Sequence, residues 1–194
     1  MSNPIEHDRE FVHYLENLVA DRGAMANLRR GLGKPPGMAY EMDKYVLPRL
    51  PESPTPWQEN SYYLVASLFA YWHQGKERSQ SLDGKRREDR NLGKSLKLVF
   101  EYTRAGIQRD EAQKRLEKRL AMLLDASIED LPEYLHQTVS LLKAKDVPID
   151  WAQLLNDIQH WNTDTRSIQH EWAKGFWVSK TKELPDEIRD HTEE

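Results

Sequence analysis

Apolar residues return every three or four positions along most of this chain, and nowhere in strict alternation between hairpin turns. That spacing places side chains on one face of an α-helix. Phe11, Tyr14, Leu15, Leu18 and Val19 form the first stripe, behind Asn3, Pro4 and Glu6, which are spaced as N-cap, first turn and capping box. Met25 and Leu28 predict a short helix ending near Arg29-Arg30-Gly31. Gly31, Gly33, Pro35, Pro36, Gly37, Pro48, Pro51, Pro54 and Pro56 then forbid a long element, with room for a turn or two between Tyr40 and Leu47. From Trp57 the stripe resumes with Leu64, Val65, Leu68, Phe69 and Trp72 on one face. Asn91 is placed to cap a helix carrying Leu92, Leu96, Val99 and Phe100, and Asp110 to open one carrying Leu116, Leu120, Leu123 and Leu124. Ser127 to Asp130 read as a capping box before Leu131, Leu135, Val139 and Leu142. Pro148 and Asp150 lead into Trp151, Leu154, Leu155, Ile158 and Trp161, and a last helix from about Thr165 carries Ile168, Trp172 and Phe176. The expected fold class is all-α, without a β-sheet, as a compact helical bundle or as two packed helical lobes. Residues 1–181 make the helical domain, with sub-lobes 1–105 and 107–181 if it divides near Gly106, and 182–194 form an acidic tail expected to be disordered.

The formal net charge of −4 argues against a uniformly basic nucleic-acid coat, but charge is unevenly placed. Residues 76–119 hold 14 of the 28 basic residues and carry a net +6. A local field follows where charges sit, so this segment is a candidate polyanion surface. A solvated helix pair laced with ion pairs gives the same count. The stretch from Gln74 to Arg90 lacks any apolar stripe and is expected to be an exposed loop. With no cysteine there is no disulfide framework, thiolate metal site, iron–sulfur cluster or thiol nucleophile. No apolar run reaches membrane-spanning length, and the opening MSNPIEHDRE does not have the pattern of a signal peptide, so a cytoplasmic chain without membrane contact is expected.

Catalytic and cofactor motifs fail on spacing. Gly93-Lys94-Ser95 ends like a phosphate-binding P-loop, but Glu88 stands where the loop's first glycine belongs, and a carboxylate repels the phosphate it would cradle. Gly31-Leu32-Gly33 meets Pro36 in place of the third glycine of a dinucleotide fingerprint, and His170-Glu171 meets Lys174 in place of a second zinc-protease histidine. No serine stands in a nucleophile elbow. Asp157 and His160, three apart, share a helical face in principle, and with His170 they define an alternative reading: a small helical metal-dependent hydrolase. Trp72, Trp151, Trp161 and Trp172 fall on apolar stripes and are expected in the core rather than stacked on bases.

Basic residues, by contrast, keep helical spacing. Arg90, Lys94 and Lys97 recur at i, i+4 and i+7 opposite the Leu/Phe stripe, and Arg115, Lys118 and Arg119 repeat this on the next helix beside Lys114. Lys85, Arg86 and Arg87 precede them. Neighbouring antiparallel helices would join these into a track suited to a phosphate backbone, which is read without base contacts. An acidic protein partner for the same face is the third reading, that of a helical adaptor.

Six segments, in order, resemble the CasB family, the small subunit of the Cascade effector complex of type I-E CRISPR systems. They are MANLRRG from Met25, LGKSLKL from Leu92, LEKRLAMLL from Leu116, LLKAKDVPIDWAQLL from Leu141, DIQHW from Asp157 and WAKGFW from Trp172. The resemblance implies an all-helical protein with no catalytic activity, no cofactor and no small-molecule substrate. It implies two copies side by side in Cascade, with the backbone and large subunits, crRNA and target DNA as partners. There the family helps to hold the guide–target heteroduplex and the displaced strand, stabilising the R-loop. Since R-loop formation is a near-balanced exchange of duplexes, a few phosphate contacts can tip it. Carried over by position, Arg29 and Arg30 match the family's paired arginines, Lys94 stands at a basic position of the middle motif, and Arg119 completes a pair whose first arginine is here Lys118. Lys143 and Lys145 precede the Asp150-Trp151 motif where relatives also carry basic residues. Around Asp125 and Ile128 the sequence is acidic and apolar where further positive charge is expected, which shifts weight to 85–97. Arg29 and Arg30 have a structural alternative, pairing with helix carboxylates or capping carbonyls.

Overall fold

The computed structural model describes residues 4–35, 38–75, 91–101 and 107–178. Among these residues all regular structure is helical. The helices are α1 (Pro4–Leu18), α2 (Arg22–Arg29), α3 (Asp43–Val46), α4 (Pro56–Trp72), α5 (Leu92–Glu101), α6 (Ile107–Leu124), α7 (Leu131–Ala144), α8 (Trp151–Gln159) and α9 (Ser167–Trp177). Single 3₁₀ turns at Tyr40–Met42 and Leu47–Arg49 flank α3, so the segment rich in proline and glycine holds only short turns. No helix among the described residues is long and apolar enough to cross a membrane. The expected Asn3 cap, the 76–90 loop, Gly106 and the acidic tail lie outside the described residues.

Side chains set four of the helix starts among the described residues. Asn91 Oδ1 accepts the Lys94 N–H at 3.0 Å and Asp150 Oδ1 accepts the Gln153 N–H at 3.0 Å, as their positions predict. Asp21 caps α2 in the same way, and Thr55 with Gln58 forms a reciprocal capping box ahead of Pro56. The box expected at 127–130 closes a turn before α7: Ser127 Oγ accepts the Asp130 N–H, and the helix begins one residue later, at Leu131. Helix α6 starts at Ile107, earlier than Asp110 suggests; Asp110 sits in its first turn, where a carboxylate meets the positive end of the helix dipole. Helix α9 starts at Ser167, after Arg166 in a left-handed conformation.

The expected one-sided stripe on α4 needs correction. Tyr62, Tyr63, Val65, Ala66, Leu68, Phe69, Ala70 and Trp72 are all buried, with Ser61 and Ser67, so nearly every face of its C-terminal two-thirds is covered. Helix α4 packs against α2, α7, α8 and α3, which explains why it carries alanine and serine where a surface helix would carry charge. Around it the buried apolar side chains form one cluster from Phe11 on α1 to Phe176 on α9. Trp72, Trp151, Trp161 and Trp172 are all inside it, as their stripes predict.

Two buried carboxylates pin helices together. Asp8 of α1 accepts from Tyr62 Oη of α4 at 2.8 Å and from Gln159 Nε2 of α8 at 2.9 Å. Asp157 of α8 accepts from Trp172 Nε1 of α9 at 2.6 Å and from Gln153 Nε2 at 2.7 Å. Other indoles act alike: Trp57 Nε1 donates to Ile158 O and Trp161 Nε1 to Ala126 O. Burial pushes the Asp157 carboxyl up to about 6, although the Trp172 and Gln153 hydrogen bonds pull the other way.

Among the described residues, helices α5 and α9 form the most extensive helix–helix contact. A Cβ at Gly93 would overlap the Trp172 carbonyl, and one at Gly175 would overlap the Asn91 side chain. Asn91 Nδ2 also donates to Glu171 O at 2.9 Å, so the residue that caps α5 ties it to α9. The Gly93-Lys94-Ser95 triplet thus owes its glycine to helix packing, and Ser95 Oγ donates to Pro148 O at 3.1 Å.

Gly93→Ala is therefore expected to destabilise the protein. In a free helix the change would add about 1 kcal/mol of stability; here the backbone overlap should convert this into a net loss of about 1–3 kcal/mol, read from urea unfolding midpoints. A variant as stable as the parent would contradict the close approach. A second prediction concerns pH. An aspartate whose folded pKa is raised from 3.8 to about 6 holds a proton that the unfolded chain has released across that interval. Its contribution to stability therefore falls as pH rises from about 4 to about 6 and stays low above it. Asp157→Asn, with Gln153 free to turn its amide, should flatten that fall in unfolding midpoint between pH 4.5 and 7.5; an unchanged slope would refute the assignment.

Candidate nucleic-acid interface

Burying Leu92, Leu96 and Val99 turns the opposite face of α5 outward, leaving Lys94 exposed and Lys97 at the margin. Burying Leu116, Leu120 and Leu123 does the same for α6, exposing Lys114, Arg115 and Lys118. The two helices pack against each other. The structure thus makes neighbours of the two helices with basic helical spacing.

These cations are not equivalent. Arg115 Nη2 lies 3.2 Å from Glu111 Oε2, but the side chains are 81% and 65% exposed. Such a pair contributes little in water, and its guanidinium can exchange the carboxylate for a phosphate at small cost. Arg119 is half-buried, and its Nη1 donates to Gln137 O at 3.1 Å, fastening α6 to α7. Lys97 Nζ donates to Val178 O at 3.3 Å, at the end of α9. Lys143 Nζ lies 2.6 Å from Tyr71 O and 4.5 Å from the Tyr71 ring centroid, so it closes the C-terminal end of α4. Lys145 is exposed at the C-cap of α7.

Arg29 and Arg30 belong to another part of the surface. Helix α2 packs on α4, α1 and the 40–42 turn, whereas α5 packs on α9, α6 and α7. Arg30 Nη1 lies 2.9 Å from Glu41 Oε1, which matches the structural alternative, and Arg29 is half-buried. Lys85, Arg86, Arg87 and Arg90 lie outside the described residues.

Two further residues, Lys174 and Trp177 on α9, lie near the lysines of α5, and neither stands out in the sequence. Lys174 Nζ lies 2.9 Å from Glu171 Oε1, and this bond with the Lys174 charge holds the Glu171 carboxyl below its ordinary range, with Lys94 adding to the effect. Glu171 therefore sits in the field of Lys94 of α5 and Lys174 of α9. Trp177 ends the helix with half of its surface exposed. The signal was present in WAKGFW: Trp172 and Phe176 take the core positions at i and i+4, which leaves Lys174 and Trp177 off the stripe.

The residues of the hydrolase alternative do not assemble. Asp157 is 3% exposed and bonded to Trp172 and Gln153. His160 is the C-cap of α8, and its Nδ1 lies 2.8 Å from Asn156 O, so that ring nitrogen is engaged with the helix backbone. His170 is exposed on α9. Among the described residues no three His, Asp or Glu side chains are grouped to hold a metal ion.

Known proteins match along this same framework. The family model described as CRISPR-associated protein Cse2 matches residues 24–177. A CRISPR-associated protein Cse2 of Thermus thermophilus is 29% identical over 182 residues, covering 93% of this chain and 94% of the relative. The crystal structure of M. ruber CasB superposes with a TM-score of 0.67 at 29% identity, covering 88% of this chain and 92% of that one. A chain of a structure titled CRISPR RNA-guided surveillance complex superposes with a TM-score of 0.72 at 25% identity, covering 90% of this chain and 93% of that one. The all-α class and the CasB likeness of the six segments are both borne out. The chain belongs to the CRISPR-associated Cse2 family.

Proposed function

We propose that this chain is a non-catalytic small subunit of a type I-E Cascade complex, holding sugar-phosphate backbones along α5 and α6 and so stabilising the R-loop. The observation that carries the reading is the outward display of Lys94, Lys114, Arg115 and Lys118 on two helices packed against each other. Phosphates repeat along a line, and a row of cations neutralises them whatever the base sequence. Superposition on a chain of an RNA-guided surveillance complex supports the setting.

In this reading the guide RNA supplies sequence recognition and the subunit supplies positive charge. Its partners are the backbone and large subunits, crRNA and target DNA, and a second copy that prolongs the track; it works in the cytoplasm. Lys85, Arg86, Arg87 and Arg90 join the track from the segment preceding α5, and Arg29 and Lys145 are outlying phosphate contacts. Arg30, Lys97, Arg119 and Lys143 also serve the fold through their bonds to Glu41, Val178, Gln137 and Tyr71.

The direct experiment assembles the Cascade complex with and without this subunit and follows R-loop lifetime on a matched target. Shortened lifetime is expected, and an unchanged one would reject the role. Within the assembled complex, Lys94→Glu with Lys118→Glu should weaken strand holding to a similar degree on unrelated target sequences. The salt dependence should flatten by about one unit per lost phosphate contact. A loss confined to particular target sequences would contradict backbone holding.

A further inference from the structure

Of the six tryptophans, four are buried and Trp57 is half-buried with its Nε1 bonded to Ile158 O. Trp177 alone among them is exposed, at 51%, and Val178 beside it is exposed at 62%. A large aromatic surface left in water at a helix end asks for a partner. The Phe176 ring stands nearly perpendicular to it, with centroids 5.3 Å apart, and anchors the indole to the core.

Lysines from two helices stand around this indole, one of them paired with Glu171. Lys174 lies three residues earlier, on the same side of α9. Lys97 of α5 reaches the carbonyl of Val178, the residue next to Trp177, and Lys94 acts on Glu171, six residues earlier on α9. An aromatic plane interleaved with lysines is the arrangement by which proteins hold single-stranded nucleic acid: cations follow the backbone while an unpaired base stacks on the ring. Paired bases in a duplex do not offer that face.

We propose that Trp177 is a stacking platform for an unpaired base of a single strand whose phosphates lie along Lys94, Lys97 and Lys174. This rests on the nucleic-acid reading above and deepens it, because phosphate contacts alone do not distinguish a single strand from a duplex. The platform makes the displaced strand the preferred ligand of the α5–α9 face. Every base has a π-face, so the preference carries little sequence dependence.

The test uses the full chain and two labelled single strands of equal length and charge, one of thymidines and one of abasic deoxyribose phosphates. The wild type should bind the thymidine strand roughly five- to a hundred-fold more tightly, the range of one stacked base. Trp177→Ala should remove that preference and leave abasic affinity unchanged, while Trp177→Phe keeps part of it. Lys94→Glu should lower both affinities together. If Trp177→Ala keeps the wild-type ratio, the proposal is overturned, and the indole is assigned instead to a protein partner. A wild type that binds both strands equally also overturns it while leaving backbone holding intact. A wild type that binds neither removes the nucleic-acid reading itself, and the platform with it.

Discussion

Lys94 and Lys174 come into one neighbourhood because α5 and α9 approach so closely that a side chain at Gly93 would overlap the facing backbone. Gly93 lies against the Trp172 carbonyl and Gly175 against Asn91, while Asn91 caps one helix and donates to the backbone of the other. Trp172, at the centre of this contact, is held by the buried Asp157. The carboxylate remains there despite its desolvation because two donors converge on it, and removing one partner would leave a buried acceptor unpaired. With that crossing fixed, Lys94 and Lys97 on α5 and Lys174 and Trp177 on α9 share one neighbourhood. Widening it would separate groups that are far apart in the chain.

The basic residues singled out in the sequence differ in their surroundings. Lys143 closes the end of α4, Arg119 fastens α6 to α7, and Arg30 joins α2 to the turn that follows it. A charge count treats these as equal to Lys94, Lys114 and Lys118, whose side chains are exposed. The difference is one of geometry: Lys143 and Arg119 reach backbone carbonyls of neighbouring helices, and Arg30 reaches a carboxylate. Lys94, Lys114 and Lys118 are instead exposed to water. A weak exposed pair such as Arg115–Glu111 belongs with the second group, since water screens it and phosphate can compete.

Much of the fold was legible because period and capping are local properties. The stripes of α5, α7 and α8 and the Asn91 and Asp150 caps follow from residues within a few positions of one another. What escaped was tertiary. The burial of nearly every face of the C-terminal two-thirds of α4 depends on neighbours contributed by distant segments, and a stripe on one face does not reveal it. Asp157 and His160 have the spacing of a ligand pair, but spacing does not show their partners: Trp172 and Gln153 hold the carboxylate and the Asn156 carbonyl holds the imidazole. The likeness of the early and middle motifs grouped Arg29 and Arg30 with Lys94, although α2 and α5 pack on different sets of helices. The exposed end of α9 was readable in outline, since Trp177 lies one step beyond the core position of Phe176. Its meaning needed the lysines that α5 brings beside it.

The central claim, that cations on α5 and α6 lie against a nucleic-acid backbone, is tested most directly by lysine footprinting. The assembled complex, with and without bound target DNA, would be treated with an acetylating reagent and the modification of each lysine read by mass spectrometry. Target binding should protect Lys94, Lys114 and Lys118, while exposed Lys44 beside Tyr45, in the turn-rich segment before α4, should react equally in both states. Unchanged reactivity at all three, in a complex that demonstrably holds its target, would contradict the account.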